Sequence, residues 1–144
     1  RESKLKVTYS QSHAEIFATK HACEFDVVTC FEMIEHVPYP MQTLSALSQL
    51  VRPGGWLIIS TINRTLKAYL GTVLVAEYIL NWVPKGTHDY TRFIKPSEVA
   101  AGLRPEGLDV ESIEGVIYQP QYQQFKRSTS TIDINYQLAA RKLE

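Results

Sequence analysis

Residues 30–40 read CFEMIEHVPYP, which places two glutamates and a histidine within five positions, directly after an apolar run. If this stretch is helical, Glu32, Glu35 and His36 are related by three and four residues and share one face. Two carboxylates and an imidazole make a hard, oxygen-rich partial ligand set. It suits Mg²⁺, with water and substrate oxygens completing the shell, better than it suits zinc. A divalent ion on a substrate's phenolic oxygens would lower their pKa and hold one as phenolate beside a fixed electrophile. A plainer reading stands next to this one: the glutamates complement a helix amino terminus and the histidine packs locally. His13, His21 and His88 read first as ordinary surface or core histidines. His88, in VPKGTHDY, lies on a glycine-containing loop that could hang over the site.

The elements that must position these residues alternate between strand and helix. LKVTYS reads as a short strand, QSHAEIFATKHA has helical spacing, and FDVVTCF suits a buried parallel strand. Leu44, Leu47, Leu50 and Val51 recur at helical steps from Met41 onward, and RPGG stops that helix before the strand WLIISTI. Ser97 to Leu103 predicts a short helix ended by Arg104-Pro105. VESIEGVIY predicts a strand, and IDINYQLAAR alternates Ile132, Ile134, Tyr136, Leu138 and Ala140 on one face. The last two strands read as an antiparallel pair, with QPQYQQFKRSTSTID a polar mobile loop between them. The pattern is that of an open, mostly parallel α/β sheet that binds ligands beyond the carboxyl ends of its strands, where EMIEH and NRT both fall.

Composition narrows the function classes. The 144 residues carry 15 basic and 15 acidic side chains, a balance that offers no basic groove for nucleic acid. A 44% hydrophobic content is enough for one core without disulfides, and two irregularly placed cysteines, Cys23 and Cys30, form neither a disulfide framework nor a zinc knuckle. A reducing compartment is expected. No cleavable signal opens the chain.

The most apolar window, residues 66–83, is interrupted by Lys67, Glu77 and Asn81, so its uncharged run is too short to cross a bilayer. On a helical wheel Lys67, Gly71, Glu77 and Asn81 form a narrow polar stripe against a broad apolar face. That face suits packing on the chain's own sheet. With Tyr69, Tyr78 and Trp82, flanked by Arg64, Lys85, Arg92 and Lys95, it also suits a helix in a membrane interface or over a greasy substrate.

Taken together, FDVVTCFEMIEHVPYP, LVRPGGWLIISTINRT, AEYILNWVPKGTHDYTRFIKPSE and DINYQLAARK resemble the bacterial ubiquinone-biosynthesis O-methyltransferase family over essentially the whole chain. EHVPYP and RPGG occur across class I methyltransferases; AEYILNWVPKGTHD with FIKP is much more specific. The resemblance implies a Rossmann-like α/β fold, mostly parallel with a terminal antiparallel pair, and methyl transfer from S-adenosylmethionine to hydroxyls of polyprenylated phenols or catechols. It also implies that Phe31 touches S-adenosylmethionine and that Glu32, Glu35 and His36 occupy magnesium positions. A polyprenyl substrate implies peripheral contact with lipid at the bacterial inner membrane from the cytoplasm, possible contact with other ubiquinone-pathway enzymes, and no nucleic acid. The family's glycine-rich turn and the acidic residue that holds the ribose have no counterpart in these residues. The resemblance therefore implies a partial methyltransferase domain over 1–144, from the third strand onward and lacking the first two strands. An amphipathic insertion falls at about 64–95, and cofactor binding by these residues alone is expected to be weak or absent. Pro105 shortens a helix that related chains often continue. Two other functions fit the same residues: a methyltransferase for a different small molecule, and a non-catalytic peripheral-membrane or scaffold module.

Overall fold

The computed structural model describes residues 6–70 and 89–144. The helix read at residues 66–83 lies mostly outside the described residues, as does His88.

Among the described residues five strands form one sheet in the order β1-β2-β5-β3-β4. The element order begins with α1 (Ala14–Ala18), β1 (Phe25–Phe31), α2 (Pro40–Leu50) and β2 (Val51–Ile62). After α3 (Leu66–Ala68) come α4 (Pro96–Leu103), β3 (Leu108–Gln119), β4 (Gln124–Ser128) and β5 (Asn135–Lys142). Among the described strands β1 and β2 are parallel, whereas the pairs β2–β5, β5–β3 and β3–β4 are antiparallel. The sheet is thus mixed rather than mostly parallel. Connections decide this: α2 crosses over between β1 and β2 and returns the chain in the same direction, whereas the short link after β3 reverses it into β4, and β5 then inserts between β2 and β3 antiparallel to both.

Pro40 sits in the first turn of α2, where its missing N–H costs nothing, and the helix buries Leu44, Leu47 and Leu50 against the sheet. The strand that follows starts earlier than RPGG suggests, at Val51, and runs through both glycines. Gly54 has φ of +73°, and a Cβ on Gly55 would come within 2.8 Å of the Asp26 carbonyl oxygen. Glycine is therefore needed where β2 bends in beside β1, at the register shift between Phe25 and Val27. Tyr136, Leu138 and Ala140 of β5 are buried as the alternation required, while Ile134 is exposed. The helical core face gathers Leu57 and Ile59 of β2 with Val99 and Leu103 of α4.

Two expectations are corrected. Residues 6–10 of the proposed LKVTYS strand form no strand, and Val7 and Tyr9 are exposed. An extended pattern needs a hydrogen-bonding neighbour, which none of the described strands supplies there. Conversely, the polar segment after β3 is not simply a loop: Gln124–Ser128 pairs antiparallel with Gly115–Gln119. A sheet-edge strand takes its backbone bonds from one neighbour and tolerates polar side chains such as Lys126 and Arg127, so polarity concealed it.

Candidate active site

Phe31 ends β1 with its ring 53% exposed, beside Ser60 in the parallel register. The next residue breaks the expected helix. Glu32 has φ of +46°, the left-handed region that a β-carbon disfavours, and only Ile34–His36 form a turn, of 3-10 type. Its backbone N–H donates to the Ser60 carbonyl at 3.0 Å. Ser60 Oγ donates to Glu32 Oε1 at 2.7 Å and Asn135 Nδ2 to Oε2 at 3.0 Å, so β2 and β5 together hold the carboxylate that ends β1.

Glu35 takes a different direction. It is 4% exposed, its Oε2 accepts from Thr61 Oγ1 at 2.7 Å, and its Oε1 has no hydrogen-bond partner. His36 is exposed, and its backbone carbonyl faces Arg92 Nη1 at 3.5 Å. The shared helical face is therefore corrected. The left-handed residue swings Glu32 onto the strands while the 3-10 turn drives Glu35 inward. Among the described residues no three His, Cys, Asp or Glu side chains gather into a metal-holding group. With both Glu32 oxygens bonded to neutral donors, the trio as arranged does not fit one shared Mg²⁺ ion.

Electrostatics follow from this crowding. Burial pushes the Glu32 carboxyl above its ordinary value, the Ser60 bond opposes that, and the nearby Glu35 carboxylate adds to it. Burial, then Glu35, pushes the Cys30 thiol up to about 11. Tyr136, fully buried with its hydroxyl donating to the Ile94 carbonyl at 3.1 Å, is raised for the same reasons, burial first and then Glu35 and Glu98.

Ser60, Thr61, Asn135 and Tyr136 are the site residues that sequence reasoning missed. Adjacent hydroxyls at the end of an apolar strand were the available signal for the first two. Asn135, about a hundred residues from Glu32, carried none. The NRT stretch proves structural: Asn63 bonds the Ile132 and Ile134 carbonyls, Arg64 pairs with Glu98, and Thr65 caps α3. His21 stacks on Phe17 and pairs with Glu24 at 2.8 Å, an ordinary surface histidine as expected.

Two cavities flank the site. One, of about 570 Å³, runs between α1, α2 and β1 and includes Met33 and Glu15 in its wall. The other, of about 440 Å³, lies beyond the carboxyl end of β1, walled by Glu35, Met41, Arg92 and Phe93 among others.

The chain matches the family model of the methyltransferase domain over residues 2–113. It belongs to that family. Among curated relatives, the ubiquinone biosynthesis O-methyltransferase of Saccharophagus degradans is 49% identical over 142 residues, covering 99% of this chain and 60% of the relative. The protein of the same name from Aromatoleum aromaticum is 52% identical over 141 residues, covering 98% and 60%. The chain thus spans about 60% of the length of these curated relatives. A SAM-dependent methyltransferase from Archaeoglobus fulgidus superposes with a TM-score of 0.61 at 17% identity, over 92% of this chain and 66% of that one. A putative methyltransferase from Bacillus halodurans gives 0.59 at 19%, over 96% and 78%. At those identities the likeness is one of fold, and the fold is the Rossmann-like α/β fold of class I methyltransferases.

Proposed function

We propose that this methyltransferase domain serves S-adenosylmethionine-dependent methylation of phenolic hydroxyls on polyprenylated aromatic intermediates of ubiquinone biosynthesis. The observation that carries the reading is 49–52% identity, across 98–99% of the chain, to proteins named for that activity. Residues at the carboxyl end of β1 supply suitable chemistry. The exposed Phe31 ring offers an apolar surface for the cofactor, and two carboxylates stand behind it. S-adenosylmethionine, when bound, supplies a methyl group on a sulfonium. Phe31 would cover part of that ligand, while the Glu32 and Glu35 carboxylates favour an approaching hydroxyl or cation over an anion.

Mg²⁺ belongs to this proposal through the family resemblance, with Glu32, Glu35 and His36 as its positions. Because Glu32 would have to surrender its bonds from Ser60 and Asn135, no step is routed through the ion. The domain organisation proposed for residues 1–144, a partial domain with an amphipathic insertion at about 64–95, rests on the same resemblance. Among the described residues no helix is long and apolar enough to cross a membrane. A polyprenylated substrate resides in lipid, and the broad apolar face read at 66–83 supports peripheral contact with the bacterial inner membrane from the cytoplasm, beside other enzymes of the pathway.

The test is methyl transfer from labelled S-adenosylmethionine to a prenylated catechol, with and without Mg²⁺. It uses this chain and a chain completed with the remaining sequence of the A. aromaticum relative. Transfer by the completed chain is expected. No transfer by a completed chain that folds and binds cofactor refutes the assigned substrate.

A further inference from the structure

We infer that the tip of the β3–β4 hairpin docks on an anionic lipid surface, with Tyr118, Tyr122 and Phe125 seated among the headgroups and Lys126 on their phosphates. The inference rests on the peripheral contact proposed above and goes beyond it, because it assigns contact to an element separate from the apolar window at 66–83. The register places this element. Phe31 pairs with Ser60, Ile62 with Asn135, Asn135 with Val116 and Val116 with Arg127, a band that crosses the sheet where β1 and β2 finish. Beyond Val116 the strand β3 has no partner on β5 and pairs only with β4, so the hairpin tip projects past the sheet at its carboxyl end. The chain leaving β2 at the same end carries the exposed Leu66 and Leu70, and Lys67 ties it to Asp133, between β4 and β5, at 2.5 Å.

Exposure and charge together favour lipid as the occupant. Phe125 is 72% and Tyr122 66% exposed, and the Tyr118 ring lies 5.1 Å from that of Phe125, so the tip turns an aromatic patch outward. Tyrosine suits the headgroup level, where its ring meets apolar chains and its hydroxyl meets water. Residues 115–132 contain Lys126 and Arg127 and no acidic side chain, in a chain whose charges otherwise balance. Arg127 pairs with Glu114 at 3.2 Å, whereas Lys126 makes no ion pair among the described residues and stands opposite Ile117. A second copy of the chain fits this edge poorly: two β4 strands paired antiparallel about Lys126 would set that cation against itself. A negatively charged bilayer takes the aromatic and the basic parts of the patch at once, with no matching shape required. Docking there turns the carboxyl end of β1 toward the lipid in which a prenylated substrate lies.

The test is co-sedimentation of this chain with vesicles of phosphatidylcholine, alone or mixed with phosphatidylglycerol. Phe125→Ser and Lys126→Gln are compared with Leu143→Ser, which changes an exposed apolar residue just past the opposite end of β5. Each hairpin variant should lower partitioning onto the mixed vesicles roughly fivefold, the loss expected for one lysine near an anionic surface, and Leu143→Ser should leave it unchanged. High salt should abolish the difference between Lys126→Gln and the native chain while the Phe125→Ser loss persists. Both hairpin substitutions lie on an exposed edge, and circular dichroism checks that each variant folds. Native binding that neither hairpin variant weakens, or that Leu143→Ser weakens equally, overturns the inference and leaves the peripheral contact standing. No vesicle binding by the native chain overturns both. Sedimentation equilibrium showing a dimer that Phe125→Ser dissolves would assign the patch to a second copy and overturn the lipid reading of the hairpin.

Discussion

Replacing Thr61 by valine isolates the one bond that holds Glu35. Thr61 is fully buried on β2, and valine has nearly its shape, so the substitution opens no cavity and changes chiefly the hydroxyl. In the native chain Oγ1 donates to Glu35 Oε2 at 2.7 Å while Oε1 has no partner. Thr61→Val therefore leaves a buried carboxylate with neither oxygen bonded. Losing a hydrogen bond to a charged group costs about 1.5–3 kcal/mol, and the residual desolvation of Glu35 places the expected loss toward the upper part of that range. For a chain of this length the melting temperature should fall by roughly 5–10 °C. Urea unfolding followed by circular dichroism at neutral pH measures the loss as a shift in midpoint at constant slope. The double variant Glu35→Met with Thr61→Val removes both polar partners, and should recover at least half of the loss. A Thr61→Val cost below about 0.5 kcal/mol, or no recovery in the double variant, would refute the view that this bond sustains the buried carboxylate.

Three further outcomes are expected. A Cβ on Gly115 would fall on the Thr131 carbonyl oxygen, so Gly115→Ala should cost about 2–3 kcal/mol or more in the same urea experiment. Cys30, buried with its thiol raised from 9.0 to about 11, stays protonated in the folded chain after an unfolded chain has ionised. Its contribution to stability is fully present below pH 9 and is lost as pH rises toward 11. Cys30→Ala should flatten that part of the stability–pH curve, and at pH 8 a thiol reagent should label the exposed Cys23 and spare Cys30. The Glu32 carboxyl should titrate above 4.5 by ¹³C NMR. Asn135→Ala, which removes one of the bonds lowering it, should move the midpoint higher still.

Much of the layout was legible because it depends on local periodicity. The leucine steps of α2, the apolar run of β1 and the alternation of β5 each reflect a buried face that the chain must present whatever its neighbours do. The carboxyl end of β1 was recognisable as the chemical end by the same logic, since a strand that gives way to EMIEH marks where ligands bind. Elements whose identity rests on a partner were not legible: β4 exists because β3 offers it a hydrogen-bonding edge, and residues 6–10 remain without regular structure because no described strand does.

The residues of the site divide in the same way. The sequence by itself determined which side chains are present and near which strand end: Phe31, Glu32, Glu35 and His36 within six positions. Only the tertiary structure decided where they point. A left-handed backbone at Glu32 cancels the helical geometry that would have made the trio converge, and that conformation is held by Ser60 and Asn135 from strands distant in sequence. Spacing rules assume one regular backbone from the first residue to the last, and long-range hydrogen bonds here outweigh the roughly 1 kcal/mol that a non-glycine residue costs in the left-handed region.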